Sequence, residues 1–571
     1  MERRLLPLAR IQQFKCGSLS DQNEMIQKVI PMYSNYESRY YQFNDINVKS
    51  PMPLSRAHAN AQLGPGGPLR KRNRRLKLLL LILVGVLIVA IVRVAANLYV
   101  GNTTLIVQVE GQQSGRIDLN QSIAISPYLL GSNVFPRIGT DSKDQANSGF
   151  MSYGQQVILG LQSARIKLLR FPGGNWGEQH TLSHTQLDDF SDLLNQVGAQ
   201  GIMQVQLSDP NDVTPVNLQT RATRAALLVD YMNNSKSIQR TNPHAAFHPI
   251  TYWTIGNEPD LLTNPDTGRK YTVEEYTQAF ITFSLAMHQK DPNIKIFGPE
   301  VSSYNGQSGP KDANGKLWVE DFLRGISTYE QTHALPFRLL DGVSFHYYPF
   351  GDTQVNASTL MQNPEQWDTI LPSLHQFIRQ QFGEDLPIAI TEINTNPGKI
   401  VPPQNLAATW WADTLGKLMS NQVQYVAFFS TEGVDSPYPL FLKQGLQETA
   451  MLRTMQLFAQ LQQDFVPMQG EQSQVDMYAT QDPRHATVSV LFINKTNNSQ
   501  NVNVQSDSFL PFSPWQHANL TIPANGIVVL TLHRGGSDEA FSFSTSGNSQ
   551  QVTPAIQNVT CGTNTASTGI C

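Results

Sequence analysis

Three features of the sequence predict an α/β fold, a (β/α)8 barrel with a C-terminal β-sandwich domain, preceded by a single transmembrane helix. Between residues 128 and 461, eight short apolar runs alternate with amphipathic stretches. After Leu461 the pattern changes to alternating strands separated by turn signals. Ahead of both, fifteen uninterrupted apolar residues follow a cluster of arginines.

The apolar run comes first. "LRKRNRRLK" (Leu69–Lys77) leads into "LLLLILVGVLIVAIV" (Leu78–Val92), then Arg93 and "VAANLYV". Carried on to Val100, the run is long enough to span a bilayer, with the Arg93 stem snorkelling near the outer boundary. The Arg70–Arg75 cluster belongs on the cytoplasmic side, so residues 1–77 form a cytoplasmic tail without sustained periodicity. Residues 78–100 then act as a signal anchor, and the chain is single-pass in the cell membrane with its large C-terminal part outside. The other reading is a cleaved signal sequence ending near Ala96, which gives a secreted protein. Residues 101–127 form a linker and a strand, "TLIVQVEG" (104–111), suited to the sandwich.

The barrel strands are expected at 128–134, 165–171, 201–207, 251–257, 294–300, 341–348, 386–392 and 423–430. Helical patterns lie between them at 187–197, 222–232, 274–288, 367–380 and 406–419. The sandwich covers 462–535, and 536–571, rich in Ser, Gly, Asn and Thr, reads as a flexible tail. Cys561 and Cys571 close a short loop there, either a candidate disulfide of an oxidising compartment or two surface thiols.

Chemistry in a barrel gathers at the C-terminal ends of the strands. Here those ends carry Arg170, Gly173-Gly174-Asn175, Asn257-Glu258, Glu300, His346-Tyr347-Tyr348, Glu392 and Ser430. Glu258 ends the fourth strand and Glu392 the seventh, so their carboxylates converge over the mouth from nearly opposite sides. Two facing carboxylates are the apparatus for cleaving a glycosidic bond, one giving a proton to the leaving oxygen and the other attacking the anomeric carbon or activating water. Asn257 is placed to hydrogen-bond a sugar hydroxyl. Arg170 can hold Glu392 ionised or form a barrel-mouth ion pair. Trp176 either stacks on a sugar face or packs beneath its loop. His346 lines the pocket or closes a strand-end hydrogen bond, and Glu300 faces substrate or caps a helix.

At these residues the chain resembles the clan of retaining (β/α)8 glycoside hydrolases, which place an Asn-Glu acid/base after strand four and a Glu nucleophile after strand seven. "WTIGNEPDLL", "KIFGPEVSSY", "VSFHYYPFG" and "IAITEINTN" are similar to segments of the heparanase and β-glucuronidase group, glycoside hydrolase family 79, over roughly residues 105–535. "LLRFPGGNWG" departs toward the α-L-arabinofuranosidases. The resemblance implies that Glu258 is the acid/base, Asn257 its sugar-contacting neighbour and Glu392 the nucleophile, with Tyr348 approaching that nucleophile. It implies a β-glucuronidase-like enzyme. The alternatives are an α-L-arabinofuranosidase or β-xylosidase of the same clan, or a membrane-anchored barrel that binds carbohydrate without cleaving it. No metal or organic cofactor is expected.

Charge narrows the partners. Residues 1–100 hold 15 Lys/Arg against 5 Asp/Glu, or +10, leaving 26 against 40, or −14, for residues 101–571. So acidic a large part repels polyanions, which excludes nucleic acid and argues against a heavily sulfated glycan. A neutral or singly acidic glycoside is expected.

Overall fold

The computed structural model describes residues 77–92 and 104–561, apart from 111–112, 138–150, 209–215, 307–308, 352, 398–400, 433–437, 444, 471–473, 507–514, 516 and 546–552. The tail expected over 1–77 lies outside these residues except for Lys77.

Among the described residues three strands precede the barrel: β1 (Thr104–Val109), β2 (Gln113–Asp118) and β3 (Ile123–Ala124). Eight parallel strands then close on themselves: β4 (Gly131–Asn133), β5 (Leu168–Phe171), β6 (Gln200–Val205), β7 (Tyr252–Ile255), β8 (Lys295–Val301), β9 (Gly342–Tyr347), β10 (Ile388–Ile393) and β11 (Tyr425–Phe428). Each falls inside or within one residue of an expected apolar run, because a strand buried on both faces reads as continuous hydrophobicity. Helices between them include His184–Val197, whose start is fixed by a capping box of Ser183 and Gln186. Inside the barrel, Leu168, Ile202, Phe297 and Ala389 form an apolar layer. Tyr128, Tyr252 and Tyr425 pack against that layer, with the Tyr128 and Tyr425 rings stacked 5.4 Å apart. Two residues further along β5 and β6, the same inward alternation delivers Arg170 and Gln204 toward the mouth.

Alternation is broken at two strands. The register of β8 on β9 pairs Pro299 with Ser344 but Val301 with Phe345, leaving Glu300 as an extra residue. On β10, Ile390 opposes Phe345 and Glu392 opposes His346, which leaves Thr391 as the extra one. These bulges re-aim side chains at the mouth.

The sandwich is built from both sides of the barrel sequence. It adds β12 (Asp464–Val466), β13 (Met468–Gln469), β14 (Val475–Gln481), β15 (Thr487–Asn494), β16 (Gln500–Ser506), β17 (Ala518–Ile522), β18 (Ile527–His533), β19 (Asp538–Ser542) and β20 (Gln557–Cys561). One sheet runs β13-β2-β1-β16-β17 and the other β20-β19-β18-β15-β14-β12-β3. Leu105, Val107, Val490, Phe492 and Leu530 lie in the core between them. Helix Gln404–Ser420 meets the sandwich where the Tyr478 hydroxyl donates to Asp413 Oδ1 at 2.7 Å. There Lys495 Nζ pairs with Glu365 at 2.8 Å and Asp413 at 2.6 Å, and also with Asp476.

One expectation needs correction. The segment from 536 is not a featureless tail, since β19 and β20 extend a sheet edge. Its alternate buried positions in β19 are Asp538, Ala540 and Ser542, so the strand is held by its ladder and carries little apolar signal. Cys561 is disulfide-bonded; Cys571, its expected partner, lies outside the described residues. The membrane span expected over 78–100 lies only partly within the described residues. A helix covers 77–92, with every residue exposed. Among the described residues no helix is long and apolar enough to cross a membrane, and 93–100 lie outside them.

Candidate active site

Five charged groups meet in the barrel mouth, on β5, β8, β9, β10 and the turn after β7. Arg170 is fully buried and spends its guanidinium on four strands. Nη1 donates to Glu392 Oε1 and to Asn133 Oδ1, both at 2.9 Å. Nη2 donates to Glu300 Oε2 and to Asn257 Oδ1, both at 2.8 Å, and reaches Gln204 Oε1 at 3.4 Å.

Glu258 follows β7 by three residues. Its backbone is left-handed, with φ +48°, and its N–H donates to the Glu300 carbonyl at 2.9 Å. Its Oε1 lies 3.0 Å from His346 Nδ1. Glu392 receives the Tyr348 hydroxyl on Oε2 at 2.7 Å, and His346 Nδ1 lies 3.5 Å from the same oxygen. An oxygen of Glu258, an oxygen of Glu392 and a nitrogen of His346 lie within 4.8 Å of one another. Gly174, at φ +56°, brings the loop after β5 so close that a Cβ there would stand 2.9 Å from Glu392 Oε1. Only glycine fits that approach.

Burial sets the electrostatics. It pushes the pKa of Glu392 up, and Glu258 adds to the rise, while His346, Arg170 and the Tyr348 hydroxyl oppose it. Burial would also raise Glu300, but Arg170 and His346 outweigh it and hold that carboxyl down to about 2. For His346 burial works against protonation, yet Glu392, Glu258 and Glu300 together push the imidazole up to about 10. The ring is therefore a cation held among three carboxylates.

The structure brings Arg170, Asn257, Glu258, Glu300, His346, Tyr348 and Glu392 together, but not all in the manner expected. Arg170, Glu300 and His346 have no exposed surface, so they serve the carboxylates and do not touch substrate. Glu300 caps no helix; it sits in a bulge at φ +60°. Asn175 is exposed, and its Oδ1 accepts from Asn257 Nδ2 at 3.1 Å. Trp176 is buried under its loop, stacked on His180 at 4.4 Å, and offers no open face to a sugar. Asn133, Gln204 and Thr391 belong to the same network, Thr391 donating to Glu300 Oε1 at 2.7 Å. Asn133 and Gln204 were legible as polar residues inside apolar runs; Thr391 was not, since alternation hides it.

Residues 169–350 match the sequence model of glycoside hydrolase family 44. That segment runs from β5 to just past β9 and holds Arg170, Glu258, Glu300 and His346. No curated protein matches the chain significantly. Among solved structures, CelM2, a bifunctional glucanase-xylanase from a metagenome library, superposes with a TM-score of 0.52 at 16% identity, covering 72% of this chain and 97% of its own. A Paenibacillus polymyxa xyloglucanase of family 44 gives 0.51 at 14%, with the same coverage. AbfB, a family 51 α-L-arabinofuranosidase from Bifidobacterium longum, gives 0.54 at 15%, again over 72% and 97%. Such identities establish the fold. Family 79 finds no support in these matches. The segments that resemble it cluster at the strand ends around the carboxylates, where the reaction dictates the residues more than the sugar does.

Proposed function

We propose that this chain, a glycosidase, cleaves a neutral glucan- or xylan-type polysaccharide with retention of anomeric configuration. The observation that carries the reading is that one oxygen of Glu258 lies within 4.8 Å of one oxygen of Glu392. Double displacement uses carboxyl groups about 5–5.5 Å apart, whereas inversion leaves room for a water at roughly 6.5–9.5 Å. Arg170 and Tyr348 donate to Glu392, while among the described residues His346 is the side chain hydrogen-bonded to the Glu258 carboxyl. Glu392, held by two donors, is thereby the nucleophile, which leaves Glu258 as the acid/base.

In the first step an oxygen of Glu392 bonds to the anomeric carbon as the bond to the leaving oxygen breaks, and Glu258 gives that oxygen its proton. In the second, water bonds to the anomeric carbon, the ester to Glu392 breaks, and Glu258 takes the water's proton. Asn257 and Asn175, joined to each other, are placed to meet sugar hydroxyls. A β-glucuronide is the weaker reading, because Arg170 and His346 are both buried and committed to carboxylates, leaving neither for a uronate. The α-L-arabinofuranosidase reading is favoured by one observation, the Arg-Phe-Pro-Gly-Gly-Asn stretch at 170–175.

The test is a panel of β-glucan, xylan, xyloglucan, heparan sulfate and aryl glycosides, with the product anomer read by NMR. Glu392→Ala should abolish turnover with an unchanged circular dichroism spectrum. Turnover by that variant at the native rate, or an inverted product, would sink the assignment. Glycan binding without hydrolysis of any linkage would favour a carbohydrate-binding protein. The reading also places the enzyme at a membrane, supported by the exposed side chains of Leu78–Val92. Recovery of the full chain in the soluble fraction without detergent would exclude that part.

A further inference from the structure

We propose that Asp260 is the positioning residue for Glu258, acting through a clamp on Ser302; the inference rests on Glu258 being the acid/base. The β7–β8 ladder ends at the pairing of Thr254 with Phe297. Beyond it, the turn that carries Glu258 is fixed to the end of β8 at two points. The Glu258 N–H donates to the Glu300 carbonyl at 2.9 Å, and two residues on, the Asp260 carboxylate receives the Ser302 N–H at 2.9 Å and the Ser302 hydroxyl. The side chain thus continues the work of the ladder after the backbone has turned away. Within the turn, the Leu261 N–H donates to the Glu258 carbonyl at 2.8 Å. Glu258 and Glu300 both have left-handed backbones, which side chains disfavour. Such conformations persist only where neighbours over-determine them. Without the Asp260 carboxylate, the bond to Glu300 would be the turn's one backbone tie to the end of β8 among the described residues.

A displaced acid has a selective kinetic signature. Protonation matters when the leaving group is a poor one; dinitrophenolate departs without it. The full chain, Asp260→Ala, Asp260→Asn and Ser302→Ala are therefore compared on phenyl and 2,4-dinitrophenyl β-cellobiosides. For Asp260→Ala, kcat on the phenyl substrate should fall about 100-fold, the scale of an ångström-sized misplacement, and on the dinitrophenyl substrate by less than about 3-fold. Asp260→Asn keeps an oxygen for the Ser302 N–H and should recover most of the loss. Ser302→Ala removes only the hydroxyl donor and shows the same selectivity on a smaller scale should Asp260→Ala not fold. A crystal structure of Asp260→Ala, or of Ser302→Ala in that case, should show the Glu258 carboxyl moved off His346 Nδ1, a readout that needs no substrate. Equal losses on both substrates, no recovery by asparagine, or an unmoved Glu258 would overturn the clamp. Glu258→Ala is the separate control. If it lacks the same selectivity and azide does not rescue it, the acid/base reading fails whatever Asp260 does.

Discussion

Three buried carboxylates meet one guanidinium and one imidazole in the barrel mouth, and their titration bounds the pH range of the fold. Glu300 is held down to about 2 from an ordinary 4.5. Its stabilisation is therefore full above pH 4.5 and is lost as pH falls toward 2. His346 runs the other way, raised to about 10 from 6.5, so its contribution is full below pH 6.5 and lost as pH rises through 10. Melting temperature measured against pH should decline on both flanks. Glu300→Gln should flatten the acid flank between pH 4.5 and 2, while lowering stability at neutral pH by roughly 3–5 kcal/mol, the scale for breaking a buried pair. An acid flank identical to the native one would show that Glu300 does not carry it. Glu258 and Glu392 were legible in the sequence because a carboxylate ending an apolar run is conspicuous. The role of Arg170 was half legible. Its bond to Glu392 was foreseen, but not that Glu300 and Asn257 would take its Nη2 donors, since those partners lie across the ring and not along the chain.

At the scale of the element, the eight strands were readable because both faces are buried, and the interruptions were not. A bulge adds a residue to one strand only by comparison with its neighbour, and a single sequence has no neighbour to show. That is why the sequence left Glu300 between facing substrate and capping a helix, and did not single out Thr391. Helices Trp318–Thr332 and Ala450–Phe458 were missed as well, although each buries an apolar face. Helix Gln404–Ser420 illustrates how packing overrides propensity. Gly416 lies in its interior, where Ala ordinarily stabilises by about 1 kcal/mol. Here a Cβ would enter the Tyr478 ring of the sandwich. Gly416→Ala should therefore destabilise, by about 1–3 kcal/mol for overpacking. The double variant with Tyr478→Ala should lose less than the two single losses added together. A higher melting temperature for Gly416→Ala alone would mean that the ring moves aside freely.

On the scale of the whole molecule, the barrel sequence is inserted into the sandwich. A chain ended after Leu461 keeps all eight barrel strands but removes every partner of β1 beyond β2, and removes Tyr478, Leu491, Ile493, Ile527 and Val529 from the core that the barrel helices share. It should aggregate and show no cooperative unfolding in urea. A monomeric, cooperatively unfolding product would show the barrel to be self-sufficient. The same arrangement has a consequence in time. β1 aligns Leu105 with Ser506, so this early strand waits for one some four hundred residues behind it. At about 5–20 residues per second, that wait lasts roughly 20–80 s. Throughout it, Leu105, Val107 and Val109 belong to a two-stranded ribbon with an open edge, beside a barrel still being assembled. The enzyme's yield in a cell is then governed by whatever shelters that ribbon until β16 arrives, so slowing translation between β2 and β16 should lower the recovered activity without altering a single contact in the finished protein.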